Sequence, residues 1–461
     1  MLVRFFSFPF FLAVWLFLGA AVPAFAQKNS NEGAPQFFLP AQMGHRPNTP
    51  FSLLISVTGK QAIHITTSPL PEGLVLDEAS GLLSGRVKQS GSYTLEIIAE
   101  NPVGKATHSL RLSIGDTLCL TPPMGWNSWN VFTKDIDENM LMQMADAMVA
   151  TGMRDAGYQY INIDDFWHAE TREADGRPKA DPKKFPHGMK YLADYVHARG
   201  LKLGIYSCAG DKTCGKCFGG FSYEEIDAKT YAEWGIDLLK YDYCFAPWSR
   251  KAAQQRYQKM GSALKNSGRT IVFSVCEWGL RQPWKWARAA GGSYWRITPD
   301  IFDVWKGGNP WQMSVMRIVK KAMRLKHYNA PGGWNDPDML LVGNNGQGKA
   351  TSGGGTYHGM TPDEYRAHFA LWCALRAPLL ASCDLRSISR PDLELLTDPK
   401  LLKWNQQAVR PYPEIAKKGK LFILSQQFND GTSGMMYFNS GEKDITVPEI
   451  GIVRKHAVVL K

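Results

Sequence analysis

From Thr121 to about Pro399 the sequence alternates, eight times over, a short apolar run with a stretch of helical periodicity. The strand candidates are MGWNSW, YINIDDFW, LKLGIYS, DLLKYD, IVFSVCEW, SYWRITPD, GGWNDPDML and PLLASCD. Between them lie stretches such as NMLMQMADAMVATG, MKYLADYVHARG, YEEIDAKTYAEWG and QQRYQKMGSALKNSG. Several of these close on glycine, as helix C-termini often do. Such alternation demands parallel strands joined by crossover helices, which leaves a closed (β/α)8 barrel or a doubly wound open sheet. Eight units over about 270 residues fit the barrel in count and length. No Gly-rich phosphate fingerprint follows any strand, which argues against the open sheet.

The flanks read differently. Residues 34–114 run through FSLLISVTG, AIHITTSPLPEG, GLLSGRV, GSYTLEIIAENPVG and THSLRLSIG without a helical stretch. This is the pattern of a small β-sandwich, and the segment resembles an immunoglobulin-like module. After Pro399 the runs LFILSQQF, SGMMYFNS, DITVPEI and HAVVLK predict a small antiparallel sheet. At the start, Arg4 precedes an apolar run from Phe5 to Val22, and Ala24-Phe25-Ala26 offers a cleavage site before Gln27. A secretory signal peptide is expected there, with an uncleaved anchor as its rival. The expected division is therefore 1–26, 34–114, 118–398 and 399–461, in a secreted or periplasmic protein with no membrane segment after cleavage.

One strand candidate poses the functional question. GIDLLKYDYC, residues 235–244, ends in Lys240, Asp242 and Cys244 at intervals of two, on one side of a strand. Charge is costly on a strand covered on both faces, so the run either leaves for solvent or enters a site. The other strand ends decide. Trp126 and Trp129 stand at the first, Asp164 and Asp165 at the second, and Tyr206 at the third. Glu277 and Trp278 stand at the fifth, Arg296 and Asp300 at the sixth, and Asp336 and Asp338 at the seventh. The C-terminal strand ends of a barrel surround its active site. Acids at so many converging ends are not explained by solvation.

Carboxylates, tryptophans, one lysine and one arginine suit an uncharged, polyhydroxylated substrate, and glycoside hydrolysis needs two carboxyl groups beside the bond. A calcium or magnesium site at WNDPDM is the rival. The missing histidine among the strand-end groups argues against zinc or iron. The formal net charge of +11 is spread over scattered residues, so a solvated basic surface is expected and no nucleic-acid partner. Export opens an oxidising compartment to the eight cysteines. CAGDKTCGKC holds Cys208, Cys214 and Cys217, but its C-x-x-C has no second half nearby, which favours disulfides over metal.

At these residues a resemblance becomes specific. The stretches TPPMGWNSWN, INIDDFW, PKKFPHGMKYLADYVHARGLKLGIY, DKTCG, WGIDLLKYDYC, CEW, WRITPDI, PGGWNDPDML and APLLASCDLR resemble glycoside hydrolase family 27, from Thr121 to about Gln407. That family holds α-galactosidases and α-N-acetylgalactosaminidases. The resemblance implies a (β/α)8 barrel with a C-terminal β-domain, and retaining hydrolysis with no cofactor and no metal. It makes Asp242 the nucleophile and Asp300 the general acid/base. Asp164, Asp165, Lys240 and Arg296 would bind sugar hydroxyls, with Trp126 and Tyr206 as pocket walls and Cys214–Cys244 as a disulfide beside the nucleophile. Glu277, with Leu280, would contact the 2-hydroxyl and favour galactose.

Physical chemistry adds two expectations: Lys240 should favour the ionised form of Asp242, and Asp300 should sit near apolar surface or another carboxylate. The implied partner is an α-galactoside oligosaccharide or polysaccharide. The runners-up are an α-N-acetylgalactosaminidase, a β-L-arabinopyranosidase and a catalytically silent sugar-binding protein. Family members often continue for more strands, so a short or truncated C-terminal sheet is expected. Cys208 and Cys217 fall outside the stretches that carry the resemblance and are expected either to bridge each other or to stay free.

Overall fold

The computed structural model describes residues 32–351 and 359–461; the expected signal peptide lies outside them. Eight parallel strands form the central sheet: β1 Met124–Asn127, β2 Tyr160–Asn162, β3 Lys202–Cys208, β4 Leu238–Asp242, β5 Val272–Val275, β6 Tyr294–Arg296, β7 Trp334–Asp336 and β8 Leu379–Ala381. Their hydrogen-bonded order is β7-β6-β5-β4-β3-β2-β1-β8. Leu340, just past β7, bridges in parallel to Ala381 of β8, which brings the two ends of the row together. The fold is the (β/α)8 barrel.

Strand parity sorts the side chains. On β4, Leu239 and Tyr241 join the large core between sheet and helices. Leu238 instead packs with Tyr160, Val272, Tyr294 and Trp334, one residue each from β2, β5, β6 and β7, in an apolar layer inside the ring. Lys240 and Asp242 share the inner side with Leu238 and lie above that layer, toward the C-terminal mouth.

Helices follow most strands. Glu138–Ala150 is capped by Asp137, whose side chain accepts from the Met140 amide. Pro362–Ala374 carries a reciprocal capping box between Thr361 and Glu364. Glu224–Trp234 stops at Gly235, where φ of 85° suits glycine. After β5 only a three-residue 3-10 turn, Pro283–Lys285, stands in the helix position.

The N-terminal module packs a four-stranded sheet (Gln42–His45, Gly104–Ile114, Gly91–Asn101, His64–Thr67) on a three-stranded one (Phe51–Leu54, Leu82–Gly85, Leu74–Asp77). Its own core includes Phe51, Leu53, Leu95, Ile97 and Leu112. It docks at the N-terminal end of the barrel, where the Arg46 amide donates to Thr270 Oγ1 at 3.0 Å, just ahead of β5. At the other end of the chain Pro399–Gln406 is a helix, so the C-terminal strands begin only at Glu414. Four of them form an antiparallel sheet whose Leu424, Met436, Phe438 and Val458 merge with the barrel core. Among the described residues no helix is long and apolar enough to cross a membrane.

Candidate active site

The inner-facing strand ends meet in one cleft, about 60 Å³ in volume, at the C-terminal mouth. Asp164, Asp165, Tyr206, Lys240, Asp242, Arg296 and Asp300 all line it. A larger cavity of about 240 Å³ lies between the N-terminal module and the far end of the barrel, but among the described residues Asp237 is the one acid on its wall. Chemistry rather than size locates the site.

Asp242 is 6 % exposed. Tyr206 Oη donates to its Oδ2 at 2.9 Å. Its Oδ1 is buried with no N–H or O–H donor among the described residues. Burial pushes the carboxyl up to about 6 and Asp164 adds to the rise, while Lys240, the Cys276 thiol and Tyr206 oppose it. Lys240 favours the ionised form of Asp242, as expected, but does not offset its burial. Its Nζ is given to Asp164 Oδ2 at 2.7 Å, and desolvation outweighs its field at Asp242.

Asp164 is held by two further donations, from Asn127 Nδ2 at 2.9 Å and from its own amide to Ser128 Oγ at 3.0 Å. Asp165 accepts from the Phe166 amide at 2.8 Å and the Gly215 amide at 2.7 Å. Burial raises its carboxyl, and those amides offset part of the rise.

On the opposite wall Arg296 Nη2 lies 2.9 Å from Asp300 Oδ1 and 2.9 Å from Asp338 Oδ2. Burial works against the guanidinium charge, but Asp338, Cys276, Asp300 and Asp336 hold it protonated. The Asp300 side chain is 55 % exposed and ion-paired, not set in apolar surroundings; Asp338, across the guanidinium, is the nearby carboxylate. Asp338 also accepts from the Ile301 and Met339 amides, and Asp336 from the Asp338 amide, so both WNDPDM acids are engaged by protein donors.

Two of the expected site residues lie elsewhere. Trp126 is fully buried in the barrel core, its indole N–H donating to Cys383 O at 2.7 Å. Glu277 is buried outside the cleft, accepting from the Arg281 amide at 2.7 Å and its guanidinium at 3.2 Å, with burial pushing it up to about 7. Leu280 is 37 % exposed and does not line the cleft. Parity explains both misplacements. On β5 the inner positions are Val272, Ser274 and Cys276, so Glu277 turns outward; on β1, Asn127 faces in and Trp126 out. The cleft wall is made instead by Cys276, Trp278, Trp129 and Asp338.

Cys214 and Cys244 are joined in a disulfide, with Cys214 Sγ 3.4 Å from Asp242 Oδ2. Cys208 and Cys217 are free thiols, and Cys208 donates to Cys244 O.

Comparison with known proteins places this geometry. The alpha galactosidase A (melibiase) family model matches residues 121–407, and a candidate Ig domain matches 35–115. An α-galactosidase of Cyamopsis tetragonoloba is 47 % identical over 71 % of this chain and 74 % of its own. A Rattus norvegicus α-N-acetylgalactosaminidase is 39 % identical over 71 % of this chain and 79 % of its own. The crystal structure of a candidate α-galactosidase from Bacteroides fragilis superposes with a TM-score of 0.88 at 40 % identity, covering 93 % of this chain and 97 % of that one.

Proposed function

The chain belongs to the melibiase family of glycoside hydrolases, family 27, and from that premise we propose that it is an exported, retaining exo-α-galactosidase. One observation carries the reading: Asp242 and Asp300, from the ends of β4 and β6, line the same cleft, one buried and the other half-exposed.

Asp242 is the nucleophile. Tyr206 occupies its Oδ2, so Oδ1 is the oxygen that attacks the anomeric carbon. Asp300 gives its proton to the departing glycosidic oxygen as that bond breaks. The galactosyl–Asp242 ester then reacts with water, whose proton passes to Asp300, and galactose leaves with the configuration it entered. Asp164, Asp165, Lys240 and Arg296 hold the sugar hydroxyls, and the half-exposed side of Asp300 receives the leaving group. Export rests on the sequence of residues 1–26.

With Glu277 and Leu280 outside the cleft, galactose in preference to N-acetylgalactosamine is supported by the more similar relatives. A panel of nitrophenyl glycosides tests the reading. The α-D-galactoside should be hydrolysed with the highest kcat/KM. Preference for the α-N-acetylgalactosaminide or β-L-arabinopyranoside would reassign the substrate, and no turnover of any would mark a silent sugar binder.

A further inference from the structure

We propose that Asp165, His168 and Cys217 form a binding site for a zinc-type divalent ion on the flank of the sugar cleft, and that the bound ion takes Asp165 away from the sugar. The carboxylate, imidazole and thiol ligand atoms of these three residues lie within 4.8 Å of one another.

The independent observation is His168. Its side chain is fully enclosed, and neither ring nitrogen has a hydrogen-bond partner among the described residues. Its Nδ1 lies 3.7 Å from Asp165 Oδ1. Trp167 stacks on the ring at 4.0 Å between centroids, and Phe218 meets it edge-on at 4.8 Å. An enclosed imidazole with both nitrogens unpaired is costly, and a metal ion on one of them removes part of that cost. Burial, with Arg172 and Lys184 nearby, keeps the ring neutral, so its lone pair is available at ordinary pH.

The loop that brings Cys217 is built around Asp165. The Gly215 amide donates to Asp165 Oδ2 at 2.7 Å, and the Cys217 amide to Thr213 Oγ1 at 3.0 Å. Thiolate, imidazole and carboxylate form a donor set that suits zinc, with a fourth position left for water. Bonds of about 2.0–2.3 Å place tetrahedral ligands roughly 3.3–3.8 Å apart, so the side chains close by about an ångström on binding. The cysteine motif therefore divides: Cys214 serves the disulfide and Cys217 the ion. Hydrolysis does not use the ion. Its inhibition of turnover rests on the reading of Asp165 as a sugar ligand.

The test uses the full chain, stripped with chelator and titrated with Co²⁺, then with Zn²⁺ in competition. One equivalent should bind with a thiolate-to-cobalt charge-transfer band that Zn²⁺ abolishes. Cys217→Ser should lose the band, and Cys217→Ser and His168→Phe should each weaken binding by more than about 100-fold, beyond what outer-shell changes cause. Both should keep metal-free turnover, which shows that they fold. Absence of the band in the native chain, or undiminished binding in Cys217→Ser, would overturn the site. Zn²⁺ should also inhibit turnover competitively in the native chain and not in Cys217→Ser. Thiolate-ligated binding without inhibition would uphold the site and overturn the reading of Asp165 as a sugar ligand.

Discussion

Lys240 gives its ammonium to Asp164, at 2.7 Å, and not to Asp242 two residues along its own strand. The nucleophile therefore feels its nearest cation through space, already shared with a second carboxylate. Burial wins that contest, and Asp242 titrates near 6 in a site that needs it ionised.

Lys240→Met follows from this arrangement. It leaves Asp164 and Asp242 buried with no cation between them, and breaking a buried pair costs about 3–5 kcal/mol. The melting temperature should fall. Because Lys240 is the strongest group opposing burial at Asp242, the acidic limb of kcat/KM should move above about pH 6. An unmoved limb would mean that another group controls it.

Asp242→Asn should stabilise the fold while abolishing turnover. The native carboxyl holds its proton more tightly folded, near 6, than its ordinary value of 3.8. Its contribution is therefore fully present below about pH 4 and is lost as the pH rises through about 6. Replacing it with a neutral isostere should recover about 1–3 kcal/mol at pH 8 and almost nothing at pH 4. Melting curves at the two pH values check the sign; a larger gain at pH 4 would contradict it.

Deleting residues 27–114 should lower the melting temperature and leave kcat and KM for a small aryl galactoside largely unchanged. The module rests on the N-terminal end of the barrel, at Thr270, while the cleft opens at the other end. A folded deletion variant without turnover would show that the module shapes the site.

How far the sequence reached is seen on single strands. The ring was legible because covered parallel strands are nearly continuous apolar runs, and their inner C-terminal residues turn polar together. On β4 the period of two was followed to Lys240 and Asp242, and both line the cleft. On β5 the same period selects Cys276, while the charged residue is Glu277 beside it; only the fold shows that Arg281, four residues on, takes that carboxylate. Trp126 poses the same ambiguity, since a tryptophan at a strand end serves equally as core or wall, and the fold places it in the core. The Arg296 bridge between Asp300 and Asp338 joins loops after β6 and β7 and leaves no mark in local pattern.

The account stands most directly on the configuration of the product formed when azide rescues the two acid-deleted variants. Asp300→Ala still has its nucleophile, so an activated aryl α-galactoside should load Asp242 as a β-linked ester and azide should release it from the opposite face as α-galactosyl azide, with turnover restored. Asp242→Ala has no nucleophile, so azide can enter only from the vacated face of the intact α-galactoside. If Asp242 is the nucleophile and Asp300 the acid/base, Asp300→Ala plus azide gives the α-azide through the ester, Asp242→Ala plus azide gives the β-azide by single displacement, and mass spectrometry of the stalled Asp300→Ala variant without azide finds the sugar on Asp242. Finding the sugar on any other residue, or wild-type rates on natural galactosides in either variant, would contradict the account.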